Sequence, residues 1–316
     1  QTIGWAFDRG NIILAANYLR RDAITPEGRP FAASRDLRRF GGTDWRSTFC
    51  NPGNIVSPGE LAGAIPAGQD GRTLTPDQIR AGETNRCNLY PSDRFLTPET
   101  ERGGLYLAGS YDATDRLRLS IDILASRRNT KSTSVYYDIL TVPVTNAFRQ
   151  MNGLHGSSPP LNAPIEVRYL FTELEPLTKK INWSLLASAG LEYDLADDWQ
   201  VRLESSYGRY DSKSKGTSVN AGRLEQSLAS SDPATAFNPF GDNSGNNPDL
   251  VASLFDPLHS LQESDYRAAT LSLGGSLFEL PAGSVRLAVG ADFRRESLAY
   301  RDRRFDANSE SAVQDL

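Results

Sequence analysis

From Leu117 to Ile123 the chain reads Leu-Arg-Leu-Ser-Ile-Asp-Ile, apolar and polar residues in strict alternation. Successive strand side chains point to opposite faces, whereas a helix repeats every 3.6 residues. A period of two therefore commits this segment to a strand with one apolar and one polar face. The pattern recurs in four hairpins: 1–8 with 11–22, 104–112 with 116–128, 182–194 with 199–210, and 265–278 with 285–300. In the first, Ile3, Trp5 and Phe7 share a face, as do Ile12, Leu14, Ala16 and Tyr18, although Ile13 and Leu19 blur the alternation. In the third, Trp199, Val201, Leu203 and Tyr207 alternate with Gln200, Arg202, Glu204 and Ser206. In the fourth, Val285, Leu287, Val289, Ala291 and Phe293 alternate with Arg286, Ala288, Gly290, Asp292 and Arg294.

Two architectures satisfy this pattern: a soluble sandwich with the apolar face inside, or an antiparallel transmembrane β-barrel with it outside. Strands of roughly ten residues match the length that crosses a bilayer when tilted. Connections within hairpins are short (Asp8 to Asn11, Asp112 to Asp115, Ala196 to Asp198, Leu280 to Ser284), whereas those between hairpins cover about 23–103, 129–181 and 211–264. Short turns at one end and long loops at the other belong to outer-membrane barrels, and compact soluble domains rarely carry loops of that length. Phe7, Tyr111, Tyr193 and Trp199 flank the short turns, and Tyr18, Trp183, Tyr207 and Phe293 lie toward the loops, as two interfacial girdles would. Ala108, Ser110, Ser188, Gly190, Gly274 and Gly275 keep the strands slender, a milder sign.

Arg20, Arg127, Arg209, Arg267 and Arg295 share the apolar parity of their strands, all at the loop end. Two readings stay open: a belt reaching lipopolysaccharide phosphates beyond the hydrocarbon, or solvated strand ends. On the opposite parity, Arg118, Asp122, Arg202, Glu204, Arg286 and Asp292 either pair across strands, hold a plug or line a path through a lumen.

A mean hydropathy of -0.45 is compatible with such a barrel, because half of each strand is polar. No apolar run approaches a membrane helix. The net charge of -5 argues against general nucleic-acid binding. No secretory signal precedes Gln1, as in a mature or truncated chain.

Cys50 and Cys87, without neighbouring Cys or His, fit a disulfide that keeps the first loop compact at the cell surface. His155 and His259 fall in separate polar loops, and neither a catalytic constellation nor a phosphate loop is present, so no enzyme or cofactor is expected. Trp45, Tyr90, Tyr136, Tyr137, Phe237 and Phe240 are candidate ligand contacts or ordinary loop packing, with Phe237 and Phe240 around Asn238-Pro239 resembling a loop anchor. Ser57-Pro58-Gly59-Glu60, Thr75-Pro76-Asp77-Gln78 and Asn247-Pro248-Asp249 read as helix starts, the last running to about Phe255. Val167 to Glu173 reads as a strand extension, and each loop is too short to be a domain.

Three phrases resemble the TonB-dependent receptors of the proteobacterial outer membrane: Phe237-Asn238-Pro239-Phe240-Gly241-Asp242, Val167 to Leu174, and Arg286 to Glu296. The resemblance implies a middle part of a 22-stranded barrel spanning all 316 residues, with energised uptake of a scarce solute such as a ferric siderophore, cobalamin or a carbohydrate. It implies lipid and lipopolysaccharide around the barrel, a small-molecule ligand at the loops, and coupling to TonB through a plug segment. No plug-like sequence and no closing aromatic strand occur here. A passive small barrel and a surface-binding or adhesion barrel are the competing expectations.

Overall fold

The computed structural model describes residues 1–29, 31–56, 62–89, 94–154, 163–173, 177–196, 198–306, 309–310 and 314–315, with side chains to Arg303. The elements in chain order are β1 (Thr2–Phe7), β2 (Gly10–Arg21), β3 (Asn54–Ile55), β4 (Gly63–Ala64), β5 (Arg80–Ala81), β6 (Glu99–Thr114), β7 (Leu117–Thr133) and β8 (Tyr136–Val142). There follow α1 (Ala147–Met151), β9 (Ile165–Phe171), β10 (Leu177–Ala196), β11 (Trp199–Val219), α2 (Ala221–Ala229), α3 (Pro248–Ser253), β12 (Phe255–Leu280) and β13 (Gly283–Asp306). The two-residue strands β14 (Ser309–Glu310) and β15 (Gln314–Asp315) come last.

All eight alternating segments are strands of one antiparallel sheet, ordered β1-β2-β6-β7-β10-β11-β12-β13, and β14 and β15 pair only with β13. The sheet is open: β1 pairs only with β2, and no described strand links it to β13. A closed eight-stranded barrel is therefore not formed.

Each hairpin turns in two residues, and three carry a register shift at the turn end, at Asp112/Thr114, Asp194/Ala196 and Ser276/Phe278. Bulges there sharpen twist and end the pairing. Away from the turns, strands outrun the boundaries read from alternation. β11 continues to Val219 and β12 begins at Phe255, so His259 lies on a strand rather than in a loop. Above the alternating zone both faces are polar, as in Lys213-Ser214-Lys215, while the backbone ladder continues.

Nothing among the described residues covers the apolar face: Trp5 is 53% exposed, Leu105 56% and Phe293 61%. A sandwich would bury these residues. The hydrophobic core lies elsewhere, in the three long loops, which pack together as one unit. There the sheet β5-β4-β3-β9-β8 and the three helices enclose Ile65, Phe148, Tyr169, Phe171, Phe237 and Phe240. Val167 to Phe171 is thus no extension of the large sheet. It is a central strand of the small one, paired with β8 and β3, with Val167, Tyr169 and Phe171 buried. No single loop is a domain, but the three share a core.

Asparagines join them. Asn146 caps α1 and donates to the carbonyls of Leu228 and Phe237, both at 3.0 Å. Asn152 donates to Gly71 O at 2.8 Å, and Asn238 to Asp70 O at 3.0 Å. Gly71 has φ +77°, and a Cβ there would lie 2.6 Å from Gly241 N, so the first and third loops cross backbone to backbone. Thr75 N donates to Gln78 Oε1 at 2.8 Å at the start of a short 3-10 turn, Pro76–Gln78. Asn247 caps α3, which stops at Ser253 because Phe255 begins β12. The start read at Ser57 lies outside the described residues.

Candidate functional surfaces of the sheet and the loop domain

The apolar face carries a band of constant length. Arg20, Arg127 and Arg209 each lie ten residues beyond the first residue of their strand, Gly10, Leu117 and Trp199, and Arg295 lies ten beyond Val285. These four arginines lie on different hydrogen-bonding rows, while the fifth, Arg267, faces Arg295 on one row. The row of Arg20 reaches β13 at Arg301, through Glu101, Asn129, Ile181, Lys213 and Leu261. That is six strand steps, and Arg301 is six residues beyond Arg295. The row of Arg127 reaches Ala299, four residues beyond Arg295 after four steps, and that of Arg209 reaches Ser297, two residues after two steps. The arginine line thus climbs one residue per strand. At ~3.3 Å per residue and ~4.8 Å between strands, it crosses the rows at about 35°.

At the turn end, Trp199 lies across Gly275. Its Nε1 donates to Ser276 O at 2.9 Å, and a Cβ on Gly275 would lie 2.3 Å from the ring. Phe7 and Tyr111 pack with ring centroids 6.2 Å apart and planes tilted by 40°.

The polar face is a charge ladder. Asp112, Arg118, Glu192 and Arg202 succeed one another along one row, with Arg118 Nε 2.7 Å from Asp112 and Arg202 Nε 3.1 Å from Glu192. Tyr106 donates to Asp122 at 2.8 Å and Thr270 to Asp292 at 2.7 Å. Glu204 stands between Gly190 and Thr270 in register, and Arg286 faces a polar hollow shared with Asp194, Asp198 and Arg202. Cross-strand pairing accounts for most of these residues.

In the loop domain, Cys50 and Cys87 are joined by a disulfide with Cα atoms 5.3 Å apart. Ser47 and Cys87 also exchange backbone hydrogen bonds at 2.9 and 2.8 Å. Of the six aromatic candidates, Phe237 and Phe240 are fully buried and unavailable to a ligand. Their sequence folds inward because Asn238 Oδ1 accepts from Phe240 N at 3.0 Å and Asn246 Oδ1 from Asn238 N at 2.7 Å. Tyr136 packs on Phe171 at 5.2 Å, and Tyr137 on Phe49 at 4.7 Å while remaining 46% exposed. Trp45 is 68% exposed and lines a cleft of about 570 Å³ with Phe31, Arg35, Asn88, Phe95 and Leu96. Tyr90 and His155 lie outside the described residues.

Charge in this domain is arranged for structure. Arg38 grips Asp36 at 2.6 Å and Arg46 grips Asp44 at 2.9 Å; these guanidiniums hold Asp36 down to about 2 and Asp44 lower still. Arg149 is buried with its guanidinium on the carbonyls of Val142, Leu154 and Ala163 at 2.9, 3.1 and 2.8 Å, and burial pulls its pKa down. It spans the two ends of segment 154–163. Glu173 accepts from Tyr169 OH at 2.9 Å, and burial raises its carboxyl pKa. The sequence gives no periodic signal for Arg149 or for the Phe31–Trp45 cleft, because both form between aperiodic loop segments.

Among the described residues, no group of three or more His, Cys, Asp or Glu is arranged to hold a metal ion. No family model matches this chain, and no curated protein matches it in sequence.

Proposed function

We propose that the chain is part of a transmembrane β-barrel of a bacterial outer membrane. The climbing arginine line carries this reading. In a barrel the strands tilt by 35–45° from the axis, so a flat membrane surface cuts their hydrogen-bonding rows obliquely. A slope of one residue per strand, about 35°, is what such a plane requires. Ten residues at that tilt span about 27 Å, close to the roughly 25 Å apolar band of these barrels. The uncovered apolar face and the charge ladder on its reverse agree with lipid outside and water inside. The five arginines then reach the phosphates of outer-leaflet lipopolysaccharide.

Within that class, the phrases resembling TonB-dependent receptors favour energised uptake of a scarce solute such as a ferric siderophore, without covalent chemistry by this chain. The loop domain would capture ligand at its exposed aromatic cleft, and the open sheet would form one sector of a 22-stranded wall. The plug and the segment that meets TonB would lie outside these 316 residues. A surface-binding barrel is the second reading, favoured by a loop domain with a core of its own. The open sheet disfavours a small eight-stranded porin.

The complete reading frame tests the assignment. A plug-sized region upstream and about a dozen further strands downstream would fit a 22-stranded receptor. A signal peptide directly before Gln1 and a stop after Leu316 would overturn it.

A further inference from the structure

On the polar face of the large sheet, cations near the short turns stand in ion pairs, Arg118 with Asp112 and Arg202 with Glu192. At the loop end of that face the pattern changes. Arg102 and Arg128 face one another directly across β6 and β7, in a row that runs from Leu19 to Asn182. Two residues farther from the turns, the row Arg21, Thr100, Thr130, Lys180 carries a cation at each end. All four cations are exposed, and among the described residues none of their side chains joins an ion pair or a hydrogen bond. Glu99 and Glu101 alternate with Thr100 and Arg102, so they stand on the opposite face, where they meet Lys131 and Tyr18. The nearest strand carboxylates on the polar face are remote. Asp122 lies six residues along β7 from Arg128 and accepts from Tyr106, and Asp302 lies three strands beyond Lys180. Like charges directly opposite one another destabilise a sheet. Three strand spacings separate Arg21 from Lys180, about 14 Å, and two residues separate the two rows, about 7 Å.

We infer that Arg21, Arg102, Arg128 and Lys180 form a binding site for a small solute bearing several phosphate or carboxylate groups. Guanidinium groups match both oxyanions with paired donors, and the ammonium adds a point charge. An oxyanion between Arg102 and Arg128 replaces their repulsion with two attractions, and Arg21 and Lys180 flank it. Position favours a passing solute. Arg21 and Arg128 directly follow two members of the arginine line, Arg20 and Arg127, and Arg102 faces Arg128. In the proposed barrel the patch therefore stands on the lumen side at the level of the outer membrane surface, where a solute leaves the loops for the interior. Arg and Lys clusters lining a pore select for anions and phosphates. The inference rests on the barrel reading and deepens it by naming the charge class of the solute.

The test titrates the full-length parent protein in zwitterionic detergent with tripolyphosphate, tricarballylate and the uncharged trisaccharide raffinose, read by calorimetry. Wild type is compared with R102Q/R128Q, with R102K/R128K, and with the opposite-face variant K179Q/K215Q. Wild type should bind one or both anions, at least tenfold more tightly than R102Q/R128Q does and more tightly than it binds raffinose. R102K/R128K should stay within about threefold of wild type, and K179Q/K215Q within about twofold. Tighter binding of tripolyphosphate assigns phosphate as the acid group of the solute, and tighter binding of tricarballylate assigns carboxylate. Without anion, R102Q/R128Q should melt no lower than wild type, because it removes a repulsion, and this separates lost binding from lost folding. Equal anion binding by wild type and R102Q/R128Q, or raffinose binding as tight as that of the anions, would overturn the site. Flotation with alkali-washed liposomes separates the two claims. A wild type that inserts yet binds neither anion sinks the patch alone, whereas one that does not insert sinks the barrel reading.

Discussion

Arg267 and Arg295 stand directly opposite one another across β12 and β13, on the face that bears the apolar band. Arg267 lies 5.8 Å from the centre of the Tyr207 ring, and among the described residues neither arginine joins an ion pair. A facing pair of like charges costs stability unless an anion comes between them. In the proposed membrane that anion is a lipid phosphate.

R267Q should therefore change stability with opposite sign in two environments. In zwitterionic detergent it relieves repulsion and should stabilise by about 0.5 kcal/mol. In lipopolysaccharide-containing membranes it should destabilise by a similar amount. Urea unfolding in both media reads the two signs, and the same sign in both would refute a bound phosphate.

The loop domain should depend on its buried phenylalanines rather than its exposed aromatics. Phe240 is fully buried, and truncation to alanine should cost about 3–5 kcal/mol of local stability. Limited proteolysis should then cut the first and third loops, which cross at Gly71 and Gly241. W45A should leave the proteolytic pattern unchanged and, on the proposed uptake reading, weaken ligand uptake, because Trp45 lines the open cleft.

Reduction of Cys50–Cys87 should loosen the same domain. The bond links residues 37 apart in sequence, a closure worth on the order of 3–4 kcal/mol in the chain-entropy account. C50S/C87S should become protease-sensitive in residues 31–89, while the large sheet keeps its far-ultraviolet signature.

Glu173 gives the loop domain a pH dependence. Burial raises its folded pKa above the unfolded value, so the folded state holds its proton more tightly. That contribution is fully present below the unfolded pKa, near 4.5, and is lost as pH rises through the folded pKa. Asp36 acts in the opposite sense, losing its contribution as pH falls from 3.8 toward about 2. Loop-domain melting in E173Q should lack the decline on the alkaline side of 4.5 and keep the acid decline. An unchanged profile would remove Glu173 from the account.

The eight strands were legible because one face is apolar and the other polar. Leu117 to Ile123 states its period in seven residues. Where that contrast ends, sequence legibility ends too, and the ladder past Tyr210 on β11 is invisible although its hydrogen bonds continue. The loop core was hidden for another reason. Ile65, Phe148 and Phe237 come from three separate loops, and no local period marks residues that meet only in the folded chain. The anchoring role of Phe237 and Phe240 could be read from their setting around Asn238-Pro239, whereas the clamp made by Arg149 could not. Cross-strand neighbours such as Lys131, Lys179 and Lys215 needed the register itself, since they are far apart in sequence and adjacent only across the sheet.

The most direct test of the central claim is the membrane depth of single spin labels along the strands of the full-length protein in bilayers. Labels at Ile12, Ile121, Leu203 and Val289 should be relaxed by oxygen in the hydrocarbon, and those at Ser120, Arg202 and Ala288 by an aqueous nickel chelate. The depth profile should step by one residue per strand from β2 to β13, following the arginine line. Equal aqueous access for both parities, or a profile that follows the hydrogen-bonding rows, would contradict a tilted barrel wall.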